Sequence, residues 1–418
     1  MTSQEVDVAI IGGGMVGASL ALALRGTAVR TLLIEGAATG SAEQSSFDAR
    51  TTALGNASRR IFEGLGIWDR LVGEAAAIRA IHISDAGRFG FARLHAAEHG
   101  IEAFGYVVPN RAIGAALWDE LRDELAAATN VLVRTPARAA ALQITPDQVS
   151  FTLTNLAEPA QIERVTAKLV VAADGAHSVV RSAAAIAVDV HDYDQTAIVA
   201  NVAAAQAHDG TAYERFTSTG PVAVLPLRDG SYGVIWTCTP ERAREVLNCD
   251  DRAFLCALQE RFGWRAGRFV RAGTRAAYPL KLMRATTTVG VRTVLIGNAA
   301  QALHPVAGQG FNLGLRDAAM LAEVLACRDA EPGSAQSLQQ FARWRAADRR
   351  GVVGFTDGLV RLFGDTRPAL AFARNLGLLL FDLAPPAKAA LARLSAGFAG
   401  PTPRLARGLS VCAQRHLP

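Results

Sequence analysis

Charge is scarce in this chain. Only 19% of its 418 residues are Asp, Glu, Lys or Arg, while half are apolar. That balance excludes intrinsic disorder, and the length exceeds what one hydrophobic core usually organises. Aromatic residues are few as well, at 6%, and neither a Lys/Arg run nor a zinc-finger spacing accompanies them. Nucleic acid is therefore excluded as a partner. The net charge of +5 suits an anionic cofactor or an anionic membrane surface instead.

Other absences narrow the chemistry. The five cysteines, Cys238, Cys249, Cys256, Cys327 and Cys412, are odd in number and form no CxxC pair, which argues against a disulfide framework or a zinc site. No HExxH, GxSxG or metal-spaced His/Cys cluster occurs, so neither a metal nor a serine nucleophile is expected. No apolar run reaches the ~20 residues a membrane span needs. The longest candidate, Leu376 to Ala384, contains Asp382. The start, MTSQEVDVAII, enters a strand pattern without a basic leader, so a cytoplasmic protein without signal peptide is expected, peripheral on the inner membrane if it meets one.

Glycine marks what is present. Val6 to Ile11 reads as a buried strand; Gly12, Gly14 and Gly17 follow as GxGxxG, then an apolar helix, then a second strand, Val29 to Ile34, ending in Glu35. Gly12 supplies a tight turn, Gly14 a close approach to a diphosphate, and Gly17 close helix–strand packing, with the diphosphate on the helix N-terminus and Glu35 on a ribose hydroxyl. Two further strand–turn–helix units recur: LVVAADGAHSVVR (169–181) and TVLI (293–296) running into GNAAQALHPVAGQGFNLGLRD (297–317), with a helix from Leu313. Each aims backbone N–H groups at a ligand's polar edge.

The order GxGxxG…Glu, ADGxxSxxR, GNAAxxxHPxxGQGxNxGxxD resembles the class A FAD-dependent aromatic monooxygenases of the para-hydroxybenzoate hydroxylase type. FDARTTAL (47–54), VVPNRAIGAALW (107–118), ERFTSTGPVAVLPLRDG (214–230), FGWRAGRF (262–269) and AGTRAAYPL (272–280) are similar to its ubiquinone-biosynthesis branch. The likeness covers most of the chain and weakens after about residue 365.

The resemblance implies an α/β fold: a discontinuous Rossmann-like FAD-binding domain (1–76, 100–182 and 285–345), a β-sheet substrate domain (77–99 and 183–284), and a helical C-terminal segment (346–418). It implies FAD held by Gly12, Gly14, Gly17 and Glu35, with Arg50 and either Asn110 or Arg111 along the diphosphate and ribityl chain. Asp174 and Gly175 would lie where FAD and the pyridine nucleotide meet, supported by Arg181; capping of the next helix is a compatible role for Asp174. Asn298 stands where relatives usually carry aspartate, and an amide keeps a ribityl contact without adding charge. Gly308, Gln309, Gly310 and Asn312 would pass the flavin ring, Asn312 facing its pyrimidine edge.

The implied reaction is reduction of FAD by NADPH or NADH, then reaction with O2 to a C4a-hydroperoxide that hydroxylates a polyprenylated phenol, with 2-polyprenyl-6-methoxyphenol as the expected substrate. His304 and Pro305 would meet that substrate, His304 either removing the phenolic proton or shaping the loop. Phe216, Val224, Leu225, Pro226 and Trp236 are candidate pocket wall or plain core. A soluble aromatic acid as substrate, or a non-catalytic flavoprotein subunit of a ubiquinone-biosynthesis complex, are the competing functions. Such a complex and a membrane surface are further expected partners. From Arg367 onward, Arg367, Arg374, Lys388, Arg393, Arg404, Arg407 and Arg415 face one acid, Asp382, a pattern that fits either an anionic leaflet or a helix packed on the FAD domain with a solvated basic face.

Overall fold

The computed structural model describes residues 3–38, 40–41, 50–126, 130–326, 331–398 and 400–412. Cys327, Arg415 and the FDA of FDARTTAL lie outside them. The first strand, Ser3–Ile11, is apolar on both faces and takes the centre of a sheet. It pairs in parallel with Thr31–Ile34 on one side and Ile162–Ala172 on the other. Val131–Arg134 and Thr293–Leu295 extend the parallel set outward. Strands buried on both faces read as unbroken apolar runs, which is why VAII and LVVA were legible. The outer half of Ile162–Ala172 pairs antiparallel with Val149–Asn155, which continues into Ala137–Ile144.

Helices Met15–Ala23, Asn110–Ala126 and Gln309–Leu325 cover one face of this sheet and share its core. A Cβ on Gly17 would stand 1.9 Å from the Gly12 carbonyl oxygen, so the first helix comes this close only because Gly17 has no side chain. The helix after the third motif starts at Gln309, four residues before the expected Leu313. Gly308 ends the loop at φ +59°, and GFN then enters the first turn.

A second eight-stranded sheet lies beyond. Its backbone is the antiparallel pair Val188–Ala204 and Phe269–Ala285, followed in order by Tyr232–Cys238, Val222–Pro226 and Thr211–Phe216. The hairpin Ala80–Asp85 and Phe91–His95 completes the far edge, parallel to Thr211–Phe216. Helices Pro240–Asn248 and Asp251–Phe262, capped by Thr239 and Asp250, cover the outer face and bury Val222, Val224, Val234 and Trp236.

One buried ionic cluster ties the third motif to the long helix Ala335–Gly364. Arg345 Nε donates to Asp317 Oδ1 at 2.6 Å, and both side chains are fully buried. Arg316 donates to both oxygens of Asp348 at 2.8 and 3.2 Å. Arg349 and Gln301 reach the second Asp317 oxygen. Burial pushes the Asp317 carboxyl up, but Arg349 and Arg345 together hold it below the usual carboxylate range. Removing one partner strands the other charge in the core. Arg345→Met is expected to lower stability by roughly 3–5 kcal/mol, read as a shifted urea midpoint at unchanged slope.

The C-terminal segment departs from the expected basic face. Helix Pro368–Asp382 packs on the hairpin of the second sheet: Arg374 and Asn375 both donate to Asp85, and Asp382 accepts from the Arg93 backbone N–H. The chain after it packs on the first domain through Ala396, Leu405 and Ala406. Lys388 pairs with Glu98 and Asp382. Several of the tail's cations are thus consumed internally. Exposure falls instead on an apolar ridge, Phe372, Leu376, Leu380 and Leu383, at the spacing of one helix face. Among the described residues no helix is long and apolar enough to cross a membrane.

Candidate active site

A cavity of about 1050 Å³ separates the two sheets. That exceeds the ~300–1,000 Å³ typical of a pocket for one drug-sized ligand. One side is glycine-rich backbone: Gly12, Gly14, Gly175, Gly297, Gly308 and Gly310 all line it. The other is the underside of the second sheet, with Ala197, Val199, Ala223, Leu225 and Ile235.

The glycine side is built to hold an anion close to backbone. Gly12 turns at φ +105°, and a Cβ there would lie 2.4 Å from the Ala173 carbonyl oxygen. Helix Met15–Ala23 starts after Gly14 with no side-chain cap and no acid in its first turn. Helix Gln309–Leu325 starts after Gly308 in the same way. Two helix N-termini whose N–H groups no side chain satisfies therefore border one cavity, a positive field suited to phosphate and to an electron-rich ring edge.

Side chains complete this floor. Glu35 accepts from the backbone N–H of Gly13 (2.7 Å) and Ala37 (2.8 Å), which fixes its carboxylate at the cavity edge with lone pairs to spare. Asp174 accepts from the Val179 N–H at 2.8 Å, so it caps that helix; its other oxygen is buried without a partner and Asp174 lines the cavity. An orphaned acceptor beside open donors fits a ligand carrying hydroxyls. Arg181 braces the turn by donating to the carbonyls of Ala176 and Ala299. Arg50 lies over the Tyr278 ring, 5.0 Å from its centroid. Asn298 is exposed on the cavity wall.

Four expected contacts are placed elsewhere. Of the alternatives Asn110 and Arg111, only Asn110 lines the cavity, accepting from the Thr52 hydroxyl at 2.7 Å; Arg111 pairs with Glu74 on the surface. Asn312 does not line the cavity. Its amide oxygen accepts from the Gly55 N–H (2.9 Å) and the Ser58 hydroxyl (2.6 Å), and its nitrogen donates to the carbonyls of Ala53 and Gly308 (2.7 and 2.8 Å). The early helix start turned it inward, where it clamps strand Thr51–Gly55 to the loop. Gln309 is buried and donates to the Ala307 carbonyl. Gly17 packs against Gly12, as its helix–strand packing role requires, and does not itself line the cavity.

His304 is buried in the same wall. Its Nδ1 accepts the Val306 N–H at 3.1 Å, so Nε2 carries the ring proton, 3.3 Å from the Gln195 amide oxygen. Burial pushes its pKa down to about 4, and its one lone pair is committed. The proton-removing role therefore gives way to loop shaping. Pro305 lines the cavity while its carbonyl accepts from the Gly308 N–H at 2.9 Å.

The wall candidates split by strand parity. Leu225 lines the cavity, whereas Val224 and Trp236 point to the helix-covered face and Phe216 stacks on Phe363 at 3.6 Å. Successive side chains alternate faces, so a run chosen whole must contain both kinds. The same parity shows a residue that the motifs did not single out. Glu214 shares its face with Ala212 and lines the cavity; one carboxyl oxygen is buried and unpartnered. Burial pushes its pKa up to about 7.

Two outcomes follow from these placements. Gly12→Ala is expected to abolish retention of bound flavin, read as the absorbance ratio of flavin to protein after purification, since both the φ and the close carbonyl forbid a methyl. Glu214→Gln is expected to gain thermal stability over the parent as pH rises from about 5 to 8. The folded carboxyl stays protonated up to about 7 while the unfolded one ionises near ~4.3, so the native state binds more protons in between and loses stability with rising pH. A constant gap in midpoint across that range would contradict the assignment.

Comparison with known proteins agrees with this architecture. A family model described as FAD binding domain matches residues 5–356. The chain is 37% identical to ubiquinone hydroxylase UbiL of Rhodospirillum rubrum, over 97% of this chain and 94% of that one. It is 32% identical to 3-demethoxyubiquinol 3-hydroxylase of Escherichia coli, over 92% and 96%. In fold it is similar to p-nitrophenol 4-monooxygenase PnpA from Pseudomonas putida, with TM-score 0.76 at 20% identity, covering 96% of this chain and 99% of that one. The chain belongs to the FAD-dependent aromatic monooxygenases, as an enzyme related to the ubiquinone hydroxylases.

Proposed function

We propose that the enzyme hydroxylates the ring of a polyprenylated phenol, 2-polyprenyl-6-methoxyphenol, taking electrons from NADPH or NADH and oxygen from O2. The observation that carries this is the composition of the cavity: a polar glycine floor faces a sheet wall of Ala197, Val199, Ala223, Leu225 and Ile235. A soluble aromatic acid would require a free cation on that wall; these positions supply none, Lys281 of the same sheet is paired with Asp192 at 2.9 Å, and Glu214 has the opposite sign for the task.

Gly12, Gly14 and the first turn of Met15–Ala23 would hold the FAD diphosphate, Glu35 the adenosine ribose, and Asn298 the ribityl hydroxyls. Arg50, Asn110 and Asp174 would lie along it, and the N–H of Gly310 would face the ring, since the Gly308 N–H is taken by the Pro305 carbonyl. Bound there, the flavin supplies the electron transfer and oxygen activation that no side chain can. The chain's own part is to stabilise negative charge on the ring through the open helix N-terminus, to hold His304 neutral beneath the loop, and to keep water from the reacting carbon with the apolar sheet wall.

A lipid surface is the proposed source of the substrate. The ridge Phe372, Leu376, Leu380 and Leu383 is exposed, Leu383 to 78%. On the inner face of the same helix, Leu378 packs with Phe363, Phe216 and Val306, next to the Pro305 loop. An interfacial helix of this kind buries its apolar face at the acyl boundary.

Prenylphenol is expected to stimulate NADPH or NADH oxidation by the purified yellow protein, and para-hydroxybenzoate to leave it unchanged; the reverse would transfer the enzyme to the aromatic-acid hydroxylases. Mass spectrometry of the product decides the ring position, and a product matching the 3-demethoxyubiquinol reaction would replace the substrate named here. Phe372→Asp with Leu380→Asp is expected to remove most co-sedimentation with anionic liposomes; full retention by a folded variant would exclude the ridge.

A further inference from the structure

Glu214 occupies a strand position that normally takes an apolar side chain. Its neighbours in register are Ala223 on Val222–Pro226 and Ile83 on Ala80–Asp85. Facing the cavity, it has one oxygen that is buried and makes no hydrogen bond. Such a group costs stability in the free protein, and no structural partner recovers that cost. The missing partner is a hydrogen-bond donor that arrives in the cavity.

The surrounding groups leave this donor to the substrate. On Ala80–Asp85, His82 pairs in register with Tyr213 on the opposite face, and Asp85 is bound by Arg374. Val222–Pro226 carries no titratable residue. From the 304–308 loop, His304 is neutral with its lone pair committed. From Phe269–Ala285, Lys281 pairs with Asp192, and Tyr278 lies under Arg50. On the glycine floor, Asp174 caps its helix. No charged side chain contributes to the shift of the Glu214 carboxyl; burial raises it and the Ala307 backbone amide draws it partly back.

We propose that Glu214 is a catalytic residue that accepts the proton of the substrate's phenolic hydroxyl. The phenol O–H bond breaks, its electron pair stays on the phenol oxygen, and the proton passes to the free Glu214 oxygen, giving phenolate and carboxylic acid. The ring becomes more electron-rich at the carbon to be hydroxylated. When the hydroxylated ring carbon gives up its hydrogen as a proton to water and the C–H electron pair restores the aromatic ring, the phenol oxygen takes its proton back from Glu214 and the carboxylate is restored. This rests on the phenol substrate proposed above. A carboxyl that titrates near neutral pH is matched to this transfer, and one acceptor on an apolar wall also orients the ring.

The test uses the holoenzyme and a nitrophenol bearing a short prenyl chain, whose colour reports ionisation and whose binding is followed separately by flavin fluorescence. The parent is expected to bind the probe and develop the phenolate band with a midpoint near pH 7. Glu214→Gln is expected to bind it without the band, and to lose about 10²–10⁴-fold in hydroxylation rate together with the rise of rate through pH 7. Glu214→Asp, which keeps the acid on a shorter arm, is expected to restore part of the band. An equal phenolate band in the parent and the amide variant, or an unaltered pH profile, would overturn the role of Glu214 alone. A parent that binds neither the probe nor a prenylphenol would overturn the phenol substrate and this proposal with it.

Discussion

The ion pair between Asp317 and Arg345, both without solvent access, is the constraint on which the active site depends. A charge that cannot reach water must face its partner at one geometry, so helix Gln309–Leu325 cannot slide along Ala335–Gly364 without stranding both. Asp317 lies near the middle of that helix, and Gly308 to Gly310 lie at its start. Registering the helix through Asp317 therefore places its open N-terminus against the cavity. Gln301, on the same carboxylate, fixes the loop that carries Asn298 and His304. The last residue of the third motif thus positions the first ones.

With the floor held in this way, the cavity has two halves made by different rules. The floor uses backbone: close approach, left-handed turns and helix ends that side chains leave uncapped. The wall uses side chains in a pleated sheet, where parity decides which residues a ligand meets. The two halves come from segments interleaved in the chain, and the hairpin at 80–95 reaches the second sheet only through its parallel pairing with Thr211–Phe216.

The floor was legible in the sequence because glycine at a tight turn leaves few alternatives. Gly12, Gly14, Glu35, Asp174 and Asn298 all lie where strand–turn–helix patterns place them. Illegible were the side chains whose roles depend on a helix start. With the helix starting at Gln309, four residues before Leu313, Asn312 lies in its first turn and clamps strand and loop with four internal hydrogen bonds. Arg111 and Asn110 are adjacent, and only the helix phase separates surface from cavity. His304 could not be assigned from its type, since its chemistry is set by the Val306 amide on Nδ1. Glu214 did carry a signal: a lone acid in step with Ala212 and Phe216 on an inward face. Within a quoted motif it was given no role of its own.

The C-terminal segment shows the same limit for charge. Counting cations after residue 367 suggests an electrostatic surface, yet Arg374 and Lys388 are spent on Asp85, Glu98 and Asp382. These pairs anchor the helix to the hairpin and to each other, and that anchoring fixes which face points outward. What points outward is apolar. Attraction between exposed cations and anionic lipid falls as salt is added, because the Debye length shrinks to about 8 Å at physiological ionic strength. Burial of Phe372, Leu376, Leu380 and Leu383 does not depend on that length. A surface held by the ridge keeps its affinity from low to physiological salt, whereas one held by the tail's exposed Arg393 and Arg407 loses it. The salt dependence of liposome binding thus separates the two physical origins on the unaltered protein.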